Sequence, residues 1–389
     1  MNKIKKKETN LYYVRSFISL IIIISFLKSK KNKSSNNTLI INYQYFTRKM
    51  IQKCTPFLKK YFNNIEFINY KRNSNYSSNK LFGYSIMRSR EINRFSKVIK
   101  KFILKCNIKK IYSGGDDIEL AIAKLKKNKI SNYYVEHGQG NLNEAIISAK
   151  EFKYYNYFYN LIIFLMFKFN FLSYGPVNWK GYITILGNRF TNKFFKENSV
   201  KSLTKTGFSP YVKKIIVKPK NTKLVMDELI KFLKINKSYT GNSVLLNFGG
   251  SATHPDANQS KILTNKILSI INYKKDIIFI KNKKINIDKK TNLQKIIVNI
   301  LIKKKVKIVY LDRFPIDNLP SEVVVKIFKI KKIISEISSV PYFSDILFPN
   351  SKIFIFKDYF LSNTNQPEVN RFKKVINFYI KKFSKINFL

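Results

Sequence analysis

Residues 306–356 read VKIVYLDRFPIDNLPSEVVVKIFKIKKIISEISSVPYFSDILFPNSKIFIF, and this stretch decides the fold. VKIVYL is a β-branched run ending at Asp312. A loop with Pro315 and Pro320 follows, and Pro320-Ser321-Glu322 opens a helix, since proline and an early acid both suit a first turn. KKIISEI is a buried strand, Ser338-Ser339 a turn, and Pro341 starts another helix. KIFIF is a third strand. Strands and helices alternating at this length predict a parallel sheet with helical crossovers.

Ser338 and Ser339 stand at the carboxyl end of a parallel strand and the amino end of a helix. Open α/β sheets bind ligands at that place. Hydroxyls and free N–H groups there suit a phosphate or a carboxylate. The competing reading is that one serine simply caps the helix.

Working outward, 389 residues suggest two domains, each able to bury its own core. Lysine and arginine number 74 against 22 acids, a formal charge of +52. Such a surface attracts anionic lipid, nucleotides or acidic polysaccharide. The lysines run through the whole chain beside heavy use of Asn, Ile, Tyr and Phe, so the charge picks out no single partner. No RNA-binding module is recognisable, and a nucleic-acid partner is not expected. Cys54 and Cys106 make no disulfide framework and are expected to be two inert buried thiols. With only His137 and His254, no multi-histidine metal site is expected.

In the first half, LYYVRSFISLIIIISFL (11–27) has an apolar core too short to span a bilayer. Flanking lysines favour a peripheral membrane anchor over an inner helix, making 1–36 a segment apart. NTLIINY (37–43) is then the first strand of an N-terminal domain over 37–206. Helical spacing marks 46–62 and 90–106, and strands are expected at IEFINY, IKKIYSGG (108–115) and YITILG (182–187). Asp116 and Asp117 read as helix caps. The loop after strand 132–135, Glu136-His137-Gly138-Gln139-Gly140, pairs an acid with a histidine. That pair offers a general base for a hydroxyl, and the glycines allow close backbone approach. A plain glycine turn with a solvated histidine is the alternative. Residues 155–174, rich in Tyr and Phe, read either as a buried helix or as an interfacial one.

The basic passage 207–223 reads as a linker to a second domain over 224–360. There NSVLLNFGG (242–250) is a strand running into Gly249-Gly250-Ser251, where a backbone can approach a phosphate. It lacks the Lys-Ser ending of a Walker loop. His254-Pro255 is a ligand contact or a turn. DIIFIK is a strand, NLQKIIVNILIKKK a helix, and 361–389 ends in a basic amphipathic helix.

LPSEVVV followed by KIISEISSVPYFSDILFPNSKIFIF resembles the C-terminal domain of bacterial sialyltransferases, of the lipooligosaccharide and capsular polysialyltransferase types. The shared features are a Pro-x-Glu segment, a paired Ser/Thr after a buried strand and the "lfpn" lead-in. VEHGQGN resembles their acidic glycine loop, and the similarity spans roughly 37–358. It implies a GT-B fold, two Rossmann-like α/β domains whose parallel sheets face a central cleft. It also implies an inverting transferase that takes a CMP-sugar, such as CMP-sialic acid, to a glycan or lipid-linked glycan acceptor, with no cofactor or metal. Carried over by position, Ser338 and Ser339 hold the donor phosphate or carboxylate and Glu322 lies near ribose or base. Glu136 or His137 takes the acceptor proton. The family's His-Pro pair after a strand is absent. IIFIKNKKI puts Lys281 and Lys283 there instead, where a lysine can supply charge to a phosphate. Gly249, Gly250 and His254 complete the expected donor side. The expected place of work is the cytoplasmic face of the inner membrane, against an anionic surface.

Overall fold

The computed structural model describes residues 9–30, 36–42, 46–68, 97–103, 105–114, 130–136, 179–185, 213–235, 241–247, 257–281, 292–335, 338–355, 377, 383 and 385–389. The chain divides into two compact units, Met1–Val225 and Met226–Leu389.

The first unit is built on a seven-stranded sheet. Its strands are β1 (Thr9–Val14), β2 (Asn36–Asn42), β3 (Asn64–Ile68), β4 (Ile108–Ser113), β5 (Ser131–Val135), β6 (Trp179–Thr184) and β7 (Lys213–Ile216), in the order β3-β2-β1-β4-β5-β6-β7. Every pairing is parallel. Helix α1 (Phe17–Ser29) joins β1 to β2, and α2 (Arg48–Leu58) joins β2 to β3. The strand order reverses between β1 and β4.

The N-terminal expectation is corrected here. Residues 9–14 form an interior strand of the sheet, between β2 and β4, and residues 17–29 form a core helix, not a membrane-surface anchor. Arg15-Ser16 separates the two elements. The Ser16 side chain caps α1 by accepting from the Ser19 N–H at 3.2 Å, which satisfies one of the helix's open donors. Ile21 to Ile24 are at most 1% exposed. Each buried isoleucine contributes about 1.5–3 kcal/mol, so the apolar run is used up in the core. The helix packs on β1, β5 and β6, and Phe26 lies 5.6 Å from the Tyr112 ring. On that face Tyr12, Tyr112 and Tyr133 form a ladder across β1, β4 and β5, with centroids 4.7 and 4.8 Å apart. Such pairs add about 0.5–1.5 kcal/mol each beyond their area. Among the described residues no helix is long and apolar enough to cross a membrane.

The second unit holds a six-stranded sheet of β8 (Asn242–Asn247), β9 (Asp276–Ile280), β10 (Lys307–Tyr310), β11 (Lys332–Ser335), β12 (Lys352–Ile355) and β13 (Ile386–Phe388). The order is β10-β9-β8-β11-β12-β13, again all parallel. Its helices are α3 (Pro219–Phe232), α4 (Ala257–Ile270), α5 (Asn292–Lys303), α6 (Ser321–Ile327) and α7 (Ser339–Leu347), and the division between units falls within α3. The stretch 306–356 thus supplies β10, α6, β11, α7 and β12 in the expected order. Here the order reverses between β8 and β11.

Two further expectations change. Residues 213–216 are an edge strand, so 207–223 is not a plain linker: Ile215 and Ile216 pair with Ile183 and Thr184 of β6. The chain also ends in a strand where a helix was expected. Ile386-Asn387-Phe388 alternates with period two along β12, and the Asn387 amide donates to the Ile353 carbonyl at 3.2 Å. Both cysteines are free. Cys54 is buried, and burial pushes its thiol up to about 12, whereas Cys106 is half-buried.

Candidate functional site

The reversal between β8 and β11 puts the carboxyl ends of two adjacent strands beside the amino ends of α6 and α7. Polar side chains collect there. Asn247 ends β8, Ser335 ends β11, Ser338 occupies the N-cap position of α7, and Ser321 and Glu322 open α6. Asn247, Ser321, Glu322 and Ser335 are all buried, at 0–5% exposure. Buried polar atoms at this density persist only when hydrogen-bonded to one another, and these are. The Asn247 amide donates to Ser335 Oγ at 2.9 Å and to Ser338 Oγ at 3.4 Å. Its Oδ1 accepts from Ser321 Oγ at 2.9 Å. Ser335 Oγ lies 3.3 Å from Ser338 Oγ. Ser339 Oγ donates to Glu322 Oε1 at 3.3 Å.

The serine pair therefore reads differently from a helix cap. Ser338 holds the cap position, but its side chain makes no capping bond; it joins Asn247 and Ser335. Ser339 reaches across to α6. The first-turn N–H groups of α7 have no partner within the helix, and with the hydroxyls they can meet the oxygens of an anion. The Glu322 carboxylate, in the first turn of α6, is an acceptor suited to a sugar hydroxyl or a base N–H. Lys281, at the end of β9, donates to the Leu319 carbonyl on the approach to α6.

In the first unit, Glu136 follows β5 directly and is 1% exposed. Thr184 Oγ1 donates to its Oε2 at 2.7 Å and the Ile185 N–H donates at 3.2 Å. Its own N–H donates to the Ile183 carbonyl at 3.0 Å. Burial lifts the carboxyl from about 4.5 to about 8, with the two hydrogen bonds pulling the other way. The acid is a clasp between β5 and β6 and holds its proton over much of the neutral range.

Glu136, Lys281, Glu322, Ser338 and Ser339 thus have defined places. Lys281, Glu322, Ser338 and Ser339 gather at the second sheet, and Glu136 stands at the first. His137, Gly249, Gly250, His254, Lys283, Asp116, Asp117 and the aromatic stretch 155–174 lie outside the described residues. Asn247, Ser321, Ser335 and Thr184 escaped the motif reading. For Asn247, Ser335 and Thr184 the one signal is a lone polar residue ending an apolar strand run, as in VLLN, KIIS and YIT; Ser321 is visible only as part of a helix start. Among the described residues no group of three His, Cys, Asp or Glu side chains could hold a metal ion.

No protein-family model matches the chain, and no curated protein sequence matches it. Solved structures do. The GT-B domain of a sialyltransferase from Photobacterium damselae is similar over 98% of this chain and 99% of that domain, at 13% identity and a TM-score of 0.50. The chain has the GT-B fold. A UDP-GlcNAc 2-epimerase from Methanocaldococcus jannaschii is similar over 97% of this chain and 93% of its own, at 15% identity and a TM-score of 0.50. At these identities the shared property is this GT-B architecture of two parallel α/β sheets.

Proposed function

We propose that the chain is a GT-B glycosyltransferase of the sialyltransferase-like kind. It moves a sugar, sialic acid or a related one, from a CMP-sugar to a hydroxyl of a surface glycan, with inversion. The observation that carries this reading is the hydroxyl, amide and carboxylate cluster of Asn247, Ser321, Ser335, Ser338, Ser339 and Glu322 at the β8–β11 reversal. Open parallel sheets receive nucleotides there, and the cluster offers neutral donors for a phosphate and an acceptor for a ribose hydroxyl. Likeness in fold to a sialyltransferase domain supports it.

In this scheme Ser338, Ser339 and the amino end of α7 bind the donor's anionic group. Lys281, with Lys283 of the same segment, adds positive charge. Glu322 serves the nucleoside, and Gly249, Gly250 and His254 belong to the same donor-binding set. His137 takes the proton of the acceptor hydroxyl as its oxygen bonds to the anomeric carbon. The bond from that carbon to the CMP oxygen breaks, and CMP departs with the electron pair. Glu136, fastened to β6, positions the histidine loop. The acceptor is a glycan or lipid-linked glycan, and the +52 charge suits an anionic membrane surface near it.

A second reading keeps the fold and changes the nucleotide, to a UDP-sugar or to CDP-glycerol. The likeness to a UDP-GlcNAc 2-epimerase favours including it in the test. Purified protein is given CMP-sialic acid, CDP-glycerol or UDP-GlcNAc, with lipooligosaccharide and capsule acceptors, and nucleotide release is followed. CMP released from CMP-sialic acid only in the presence of acceptor is the expected result. Turnover of another donor alone would replace the sugar, and no turnover together with no nucleotide binding would overturn the enzyme reading.

A further inference from the structure

Asn247 is the hub of the donor-side cluster. It is 3% exposed and ends β8. Its amide meets three serines from three other elements: Ser335 of β11, Ser338 at the N-cap of α7 and Ser321 of α6. Ser335 in turn donates to Asn247's backbone carbonyl at 3.3 Å. A short amide donates twice and accepts at its oxygen, whereas a carboxylate of the same shape only accepts. The chemistry at position 247 therefore decides which way neighbouring hydroxyl protons turn.

We infer, resting on the donor-site reading above, that Asn247 is the positioning residue that orients the Ser338 hydroxyl and seats the amino end of α7 for the anionic group of a nucleotide. A serine oxygen that already accepts an amide proton turns its own proton away from the Asn247 side chain, as Ser335 does toward the backbone carbonyl. The amide is also neutral, so it adds no charge against a phosphate. An aspartate there does both things wrongly: it draws serine protons onto itself and sets a negative charge beside the anion. Protonating that aspartate restores a neutral group with one donor.

The test is Asn247→Asp in the full chain, with affinity for CMP and for UDP measured by calorimetry from pH 5.5 to 8.5 beside the unaltered protein. Burial raises the pKa of the introduced carboxyl, so the change of state falls inside that window. The ratio of variant to unaltered dissociation constants cancels titration of the nucleotide itself. Expected is a ratio of roughly 10 or more at pH 8.5, the loss typical of a hydrogen bond to a charged group, closing to within about threefold at pH 5.5. A ratio near one throughout, or a large ratio flat with pH, overturns the positioning role and leaves the donor reading standing. Binding of neither nucleotide by the unaltered protein overturns both. If Asn247→Asp fails to fold, Ser321→Ala carries the test. It removes the partner that holds Oδ1 and lets the amide turn, and it is expected to weaken nucleotide binding by about 3- to 10-fold, with a drop of a few degrees in melting temperature from the acceptor left unpaired. Unchanged affinity in that variant overturns the inference.

Discussion

The two sheets are alike in plan and unlike at their carboxyl edges. Both are all-parallel and both reverse strand order once, between β1 and β4 in the first and between β8 and β11 in the second. Among the described residues the first carries a deeply buried carboxyl, Glu136, clasped by Thr184 and pushed up to about 8. The second carries a mesh of serine hydroxyls around one amide. An isolated buried acid trades in protons, while a neutral mesh of donors suits a ligand that brings its own charge. The difference teaches that one scaffold, used twice, becomes specialised by the few side chains at its strand ends.

The sharpest way to break this comparison is His137→Ala. If proton removal belongs to the first unit, turnover falls by about 10²–10⁴, while CMP affinity measured by calorimetry changes by less than about twofold. A parallel loss of affinity would merge the two roles. Next is Lys332→Met. The Lys332 amine lies 2.8 Å from the fully buried Asp276 carboxylate and also donates to the Ile270 carbonyl. Removing it strands a buried charge and is expected to cost about 3 kcal/mol. In a urea melt followed by hydrogen exchange, that loss should register in β8, β9 and β11 and not in β1 to β6.

Smaller is the double change Ser338→Ala with Ser339→Ala, expected to weaken CMP binding about 10- to 30-fold. Unchanged affinity would return the pair to a structural role. A further test concerns Glu136. Its folded pKa lies above its unfolded one, so the stability it contributes is fully present below pH about 4.5 and is lost as pH rises through about 8. The slope between those values is at most about 1.4 kcal/mol per pH unit. Glu136→Gln keeps an acceptor for Thr184 and should flatten the dependence of melting temperature on pH across that window. A slope that survives would assign it to another group.

Fold class was legible because 306–356 alternates strand and helix without interruption. The serine pair was legible for the same reason, since its place at a strand end follows from local pattern. What was illegible depends on partners far along the chain. Asn247 meets Ser335 across 88 positions and Thr184 meets Glu136 across 48, and no local periodicity reports such pairs. The N-terminal strand was hidden because only Arg15 and Ser16 part it from an apolar helix, so two elements read as one run. Four-residue β7 and three-residue β13 are edge strands, too short to announce a period of two. The Ser16 cap was the overlooked sign at the N-terminus.

Helix α1 has a consequence for synthesis. Its apolar surface is covered partly by β5 and β6, which are translated more than a hundred residues later. At ordinary rates of about 5–20 residues per second, the ribosome needs on the order of ten seconds to deliver them. Throughout that interval a helix that is buried in the finished protein lies partly uncovered. Phe17–Phe26 therefore stays partly uncovered until β5 and β6 are made, and β6 is the later of the two.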